Sequence, residues 1–362
     1  MRNLKITAWL FGLLIFLSAS SGDVFGFTTN NTTITRTFDK SEVAIGQSIA
    51  VTVTFTNNEA ASLRGFYYSE QVPEGLVVST TSVKINGNAI SNYIFESGSV
   101  GDVYPGNEVY RWILETPITF SENNSISTDS IVEIVYSVGS TQPGTFHLDE
   151  FSWVGYYQGG SRAAFGHSEV VDRGTIAFSF QDVPFGHWAY GYVMGISDDG
   201  ITTGCAAGVY CPSNPVTREQ MAAFIVRAVE GGQLYEGACA GPSPFSDVLA
   251  SSPFCRNIER LVFLGITAGC GSSTYCPANN VTREQMAAFL VRAVEGGQLY
   301  EGACAGPSPF SDVLADSRFC RNIERLVNLG ITQGCAQGMY CPSNNVLRDE
   351  MAAFLARAFL GM

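Results

Sequence analysis

One unit of this chain recurs at a fixed interval. Arg218, Arg283 and Arg348 mark it, 65 residues apart, and the cysteine pairs Cys205/Cys211, Cys270/Cys276 and Cys335/Cys341 keep the same spacing. A period of this size means modules that stack on one another, because so short a unit cannot bury its own apolar face. The units run 179–243, 244–308 and 309–362. A device built three times points to repeated binding more than to a single catalytic centre.

The second unit opens Phe245-Ser246-Asp247-Val248 and the third Phe310-Ser311-Asp312-Val313. The first opens Phe180-Gln181-Asp182-Val183-Pro184 and continues to His187-Trp188-Ala189-Tyr190. Each then has a Gly-Ile-Thr step (Gly200, Gly265 and Gly330 lead it) and a Cys-x5-Cys loop ending in Cys-Pro. After the loop come Val216-Thr217-Arg218-Glu219-Gln220-Met221, Val281-Thr282-Arg283-Glu284-Gln285-Met286 and Val346-Leu347-Arg348-Asp349-Glu350-Met351. Two helices are predicted per unit. In the second of them, Met221, Phe224, Ile225 and Ala228 fall on one apolar stripe. Thr217 with Gln220, and Thr282 with Gln285, are spaced as capping boxes, whereas Leu347 lacks the side-chain cap, at about 1 kcal/mol. The first helix is visible in Ile258, Leu261 and Val262, with Gly265 as its stop. Segments 216–250 and 281–315 differ only at Ile225 against Leu290, which reads as an internal duplication.

The run Phe-x-Asp-Val-Pro, His-Trp-Ala, Gly-Ile-Thr-x-Gly and Val-Thr-Arg-x-x-Met-Ala-x-Phe resembles the S-layer homology (SLH) module, three times over about half the chain. The resemblance implies an all-α pseudo-threefold bundle whose grooves hold cell-wall glycan, with the arginine of a Thr-Arg-Ala-Glu run facing each groove. Arg218, Arg283 and Arg348 match that arginine; Glu-Gln replaces Ala-Glu in the first two copies, and the third reads Leu-Arg-Asp-Glu. His187-Trp188 occurs only in the first unit, where the others have Ser252-Pro253 and Ser317-Arg318. On this reading the ligand-binding residues are Arg218, Arg283, Arg348, Trp188, Thr217 and Thr282, and the third groove is the weakest. Trp188 either stacks on a sugar or packs between helices.

The formal charge is −13, which argues against nucleic acid as a partner. The repeats hold 11 arginines and no lysine; apart from the three motif residues, Arg227, Arg256 and their like read as solvated or ion-paired helix residues. All ten cysteines lie between 205 and 341. Besides the three x5 pairs, Cys239/Cys255 and Cys304/Cys320 are spaced x15, so pairing within the unit uses every cysteine and predicts five disulfides. Each x15 loop contributes about 3 kcal/mol on the loop-entropy account. A metal site is disfavoured: there is no Cys-x2-Cys, and the histidines are His147, His167 and His187. No cofactor is expected. Arg2 and Lys5 precede the apolar run Ile6 to Leu17 and the small residues Ser18-Ala19-Ser20, so 1–26 is predicted to be a secretory signal peptide. No other stretch is apolar enough to span a membrane, and a secreted, envelope-associated protein is expected.

Residues 27–178 change character: Thr, Ser, Val, Tyr and Asn dominate and cysteine is absent. Ile49, Val51, Val53 and Phe55 alternate with polar residues as a half-buried strand. Further strands are predicted at 66–71, 76–79, 82–86, 109–114, 131–138, 146–154 and 175–180, with Asn86-Gly87 as a hairpin turn. Such a series argues for an antiparallel β-sandwich. Val51–Asn58 followed by Pro73-Glu74-Gly75-Leu76 resembles the immunoglobulin-like modules of bacterial surface proteins. Asp149-Glu150 reads as a solvated edge, since adjacent strand residues face opposite ways. Trp153, Tyr156 and Tyr157 read as core. Asp198-Asp199-Gly200 lacks the spaced ligands of a calcium loop and reads as a helix end.

The expectation is a non-catalytic wall-attachment protein whose repeats bind envelope polysaccharide and whose sandwich is displayed, with other surface proteins as further partners. A protein-docking or self-assembly role for the repeats is the alternative. A secreted glycan hydrolase accessory is disfavoured, for want of a nucleophile elbow or an acid pair.

Overall fold

The computed structural model describes residues 32–97, 107–116, 124–148, 152–159, 165–170 and 174–362. The expected signal peptide and Asp149-Glu150 lie outside the described residues. The chain divides into two compact units, Met1–Phe178 and Ser179–Met362.

The first unit is β-rich. One five-stranded sheet joins β1 (Thr32–Phe38), β3 (Ser48–Asn57), β9 (Ile131–Ser140), β5 (Leu76–Ile85) and β6 (Asn88–Ile90), in that order. A second joins β12 (Phe165–Glu169), β11 (Trp153–Gln158), β4 (Leu63–Pro73), β8 (Asn107–Ile113) and β7 (Ile94–Ser97). A three-stranded sheet joins β10 (Gly144–Leu148), β13 (Gly174–Ser179) and β2 (Glu42–Ala44). Both five-stranded sheets are antiparallel throughout.

The alternation in β3 sends Ile49, Val51, Val53 and Phe55 inward. There Phe55 meets Phe66 and Tyr156 of the other large sheet, at ring-centroid distances of 4.8 and 6.0 Å. Trp112 and Tyr136 close the same core from opposite sheets at 4.9 Å. Tyr156 is fully buried, as read from the sequence. Two strand expectations are corrected. The segments 76–79 and 82–86 form one strand, β5, whose register shifts between Thr80 and Ser82, so the break in the pattern is a bulge and not a turn. Residues 146–154 are divided between β10 and β11, which belong to different sheets. Asn86 and Gly87 take φ of 49° and 77° in the turn that joins β5 to β6, the left-handed pair a two-residue hairpin requires.

A charged cluster sits inside this core. Arg36 and Glu70 side chains are both fully buried and pair at 2.6 Å. Glu70 also accepts from the hydroxyls of Tyr68, Tyr136 and Ser152, and Arg36 donates to the Leu148 carbonyl at 2.7 Å. Strands of both large sheets are thereby tied to one carboxylate, and Arg36 reaches the third sheet through Leu148.

The second unit is helical. Each repeat supplies a first and a second helix: α1 (Tyr190–Asp198) and α2 (Arg218–Val229), α3 (Cys255–Phe263) and α4 (Arg283–Val294), α5 (Cys320–Asn328) and α6 (Arg348–Leu355). After α6 the chain continues as a π-helical turn, Ala356–Leu360. The second helices are buried on nearly all sides, Met221 to Arg227 without a break in α2, so they form the middle of the unit. Each first helix packs on the second helix of the preceding repeat, α3 on α2 and α5 on α4, while α1 packs on α6. Backbone bonds just before the second helices repeat this closure. Val281 N–H donates to Val216 O, Val346 N–H to Val281 O, and Val216 N–H to Val346 O, each at 2.9 Å. Three steps return to the starting residue.

The five disulfides form as spaced: Cys205–Cys211, Cys239–Cys255, Cys270–Cys276, Cys304–Cys320 and Cys335–Cys341. The threonine caps follow the sequence, but of the two expected capping boxes only Thr217–Gln220 is complete, since Gln285 Oε1 has no partner in α4. Thr217 and Thr282 accept from the backbone N–H of Gln220 and Gln285, and Leu347 makes no side-chain cap. In α3, the first helix of the second repeat, Ile258 and Leu261 are buried, but Val262 is exposed and lies off the stripe.

Candidate functional site

The Cys-x5-Cys loops hold a carboxylate in the same way three times. Asp182 accepts from the backbone N–H of Tyr210 and Cys211, Asp247 from Tyr275 and Cys276, and Asp312 from Tyr340 and Cys341, at 2.7–2.8 Å. The aspartate of the opening Phe-x-Asp-Val run therefore serves the loop some 28 residues downstream. The left-handed φ of Cys211, Cys276 and Cys341, 57–61°, turns the consecutive N–H groups toward it. Asp247 lies close to the sulfurs of Cys270 and Cys276, but these are bonded to each other and offer no thiolate to a metal.

That loop presents a tyrosine to the motif arginine of the preceding repeat. Arg218, the first residue of α2, donates Nε to the Tyr275 carbonyl at 2.7 Å, with its guanidinium 4.9 Å from the Tyr275 ring and 5.1 Å from that of Phe289. Arg283 does the same with Tyr340 (2.8 Å; ring 5.2 Å) and Phe354 (5.3 Å). Arg348 does so with Tyr210 (2.7 Å; ring 4.8 Å) and Phe224 (5.1 Å), which closes the series on the first repeat. Each arginine is thus a clasp between repeats, held by one hydrogen bond and two ring faces. They are 4–5% exposed, so the expected outward-facing cations are instead largely enclosed.

What remains of each guanidinium differs. Nη2 of Arg218 and of Arg348 is buried with no hydrogen-bond partner. Burial pushes both guanidiniums below their ordinary pKa, against the pull of Tyr275 and Tyr210. Arg283 donates Nη1 to Glu350 at 3.0 Å.

Arg283 lines a cleft of about 270 Å³ with Trp188, Thr332, Glu350, Phe354 and Arg357. Trp188 does not pack between helices: it is 58% exposed, and its indole N–H donates to Asp349 at 3.1 Å. Arg357 was not singled out in the sequence, because its copies Arg227 and Arg292 are ordinary ion-paired residues, bound to Glu236 and Glu301. In the third copy the π-helical turn carries Arg357 to Tyr192, whose hydroxyl accepts at 2.9 Å and whose ring lies 5.0 Å from the guanidinium. Thr217 and Thr282 spend an acceptor on their caps. The structure therefore brings Trp188 together with Arg283 and adds Arg357, while Arg218 and Arg348 occupy separate, homologous positions.

Residues 179–222, 244–287 and 309–352 each match the S-layer homology domain family. An amylopullulanase of Thermoanaerobacterium thermosulfurigenes is 26% identical over 312 residues, 84% of this chain and 16% of that protein. The S-layer protein EA1 of Bacillus anthracis is 31% identical over 180 residues, 49% of this chain and 20% of that protein. The chain spans a fifth or less of the length of these two relatives. Among solved structures, the full-length major pilin SpaD of Corynebacterium diphtheriae covers 40% of this chain and 35% of its own, at 9% identity and a TM-score of 0.30, too slight a likeness to fix the fold of the β-rich unit. No helix among the described residues is long and apolar enough to cross a membrane. With three matched repeats within 179–352, this chain carries three S-layer homology domains and belongs at the cell surface or envelope.

Proposed function

We propose that the chain is a non-catalytic anchor. Its repeats form a pseudo-threefold bundle that holds an anionic envelope glycan non-covalently, and its β-rich unit, an immunoglobulin-like sandwich, is the displayed module. The observation that carries this reading is the cleft beside Arg283, where an exposed indole stands next to two arginines. An aromatic face and planar cation donors suit a sugar ring and an acidic substituent. Relatives that differ in activity, an amylopullulanase and an S-layer protein, fit a shared attachment function better than a shared reaction.

The test is retention of the full chain on cell-wall sacculi, compared with sacculi stripped of their secondary polymers. Retention should be lost on stripping and should fall at least tenfold in Trp188→Ala/Arg357→Ala. Undiminished retention of that variant refutes the cleft assignment. A second reading, self-assembly through the repeats, draws on the exposed Leu249, Leu314 and Phe263, each 75–76% accessible. Concentration-dependent oligomers without wall retention would favour it.

A further inference from the structure

Trp188 lies in the turn before α1 and is gripped at one edge only. Its Nε1 donates to Oδ2 of Asp349 at 3.1 Å. His187 and Tyr192 flank the ring at centroid distances of 6.2 and 6.5 Å and leave it exposed. An exposed aromatic side chain in a turn samples several rotamers unless a contact selects one. Asp349 is able to select it, because it is itself buried and held. Its backbone N–H donates to the Pro212 carbonyl at 3.0 Å, beside the Cys205–Cys211 staple of the first repeat. Its Oδ1 accepts from the Glu350 N–H at 2.8 Å. The oxygen that meets the indole therefore sits on a fixed residue at the seam between the third and first repeats.

We infer that Asp349 is a positioning residue: it fixes the indole plane of Trp188 across that seam, so that the ring meets a sugar with its rotamer already chosen. The inference rests on the anchoring reading above. A free indole would lose its rotamer freedom when the ligand binds, and a held one has little left to lose. Donation of the indole N–H to a carboxylate also leaves the ring richer in electron density. That favours contact between its face and the polarised C–H groups of a sugar.

The other two copies show what is particular to this pair. The repeat position of Trp188 is Pro253 in the second unit and Arg318 in the third, and that of Asp349 is Glu219 and Glu284. Only the acid that meets the tryptophan is the shorter one. Arg318 acts on the Glu284 carboxylate, so that seam pairs two charges, and Pro253 has no side-chain donor to offer. Asp349 also makes good the cap that Leu347 lacks. The N–H groups of Gln220 and Gln285 bond to the hydroxyls of Thr217 and Thr282, whereas that of Glu350 bonds to Asp349 Oδ1. The third copy has thus moved its cap from the residue before the arginine to the residue after it, and the second oxygen of that cap reaches Trp188.

The test separates the two tasks of Asp349. Leu347→Thr restores the cap used by the other copies, so in that background the acid can change without uncapping α6. The full chain is compared as Leu347→Thr, as Leu347→Thr/Asp349→Asn, which keeps an acceptor for the indole, and as Leu347→Thr/Asp349→Ala, which does not. Asparagine and alanine remove the same charge, so their difference reads the acceptor alone. One readout is the indole N–H resonance of Trp188, identified by its loss in Trp188→Phe, with its rate of exchange with water. The other is retention on sacculi. Leu347→Thr and the asparagine variant should keep the resonance and stay within about twofold of wild-type retention. The alanine variant should shift the resonance, speed its exchange and cut retention about fivefold, the weight of one hydrogen bond. If Leu347→Thr does not fold, Asp349→Asn and Asp349→Ala alone are compared by the resonance. An unchanged indole signal in the alanine variant overturns the inference. So does a changed signal with full retention, or an asparagine variant as poor as alanine. With wild type retained on sacculi, each of these outcomes leaves the anchor standing. Wild type not retained sinks the anchor and this inference with it.

Discussion

Tyr340 and Arg283 hold each other twice: the tyrosine hydroxyl donates to the Arg283 carbonyl at 2.8 Å, and Arg283 Nε donates to the Tyr340 carbonyl at 2.8 Å. The same exchange joins Tyr275 to Arg218 and Tyr210 to Arg348. Tyr340→Phe removes one bond of the pair and leaves the ring on the guanidinium. The Arg283 carbonyl lies in the first turn of α4 and keeps its helical acceptor role, so the loss should be near that of one ordinary hydrogen bond, about 1 kcal/mol. Urea unfolding of the full chain, followed by helical circular dichroism, checks it. No change in midpoint would mean that the interface is held by the rings alone.

Asn257 and Asn322 present the opposite case. Both are fully buried at the same place in α3 and α5, and neither the amide nitrogen nor the oxygen has a partner. Leucine has the same number of side-chain heavy atoms and no polar group to desolvate. Asn322→Leu should therefore raise stability by about 1–2 kcal/mol, since an unsatisfied buried amide costs about that much. A lowered melting temperature would show that the amide is bridged by water that leucine expels.

Much of this was legible in the sequence, and the reason is local. A threonine three residues before a glutamine, a cysteine six residues before another and an alternating strand each specify structure within one turn or one loop, so Thr217, Cys205–Cys211 and Ile49–Phe55 stand where the sequence put them. The clasp was not legible because its partners lie far apart: 57 residues from Arg218 to Tyr275, 138 from Arg348 to Tyr210 and 161 from Trp188 to Asp349. Only the closure of the repeats brings them together. Arg348 and Arg283 look interchangeable as letters, and Glu350 separates them only when its place opposite Arg283 is known.

The Asp247 carboxylate gives the second repeat a dependence on acid. Burial alone would raise its pKa, but the N–H groups of Tyr275 and Cys276, with Arg218 nearby, hold it below the ordinary 3.8. A depressed folded-state pKa contributes stability that is fully present above the unfolded value, and that is lost as pH falls through the folded one. Asp247→Asn should melt below wild type at about pH 7, and the gap should begin to narrow below about pH 4 and close only once the pH has fallen below the depressed folded-state value, where both proteins lack the charge. A gap that persists unchanged into strong acid would assign the loop's stability to shape and not to the carboxylate.

Glu70 is the most exacting position in the β-rich unit. Its carboxylate has no exposed surface and collects donors from Arg36, Tyr68, Tyr136 and Ser152. Burial first, then the charge of Glu70, holds both tyrosines well above their ordinary pKa, so they remain donors. Glu70→Gln removes the charge that compensates Arg36 and turns an N–H group toward donors that need an acceptor. Tyrosine hydroxyls can rotate away, but the guanidinium cannot become an acceptor. The cost should be about 3–5 kcal/mol, as for one partner lost from a buried pair. The double change Arg36→Met/Glu70→Leu removes both charges and should cost less than Glu70→Gln, despite leaving the two tyrosines and Ser152 to find water. Denaturant unfolding followed by the fluorescence of the buried Trp112 checks both. If the single variant is the more stable of the two, the buried cluster is held by its hydroxyls and the ion pair is incidental to the fold.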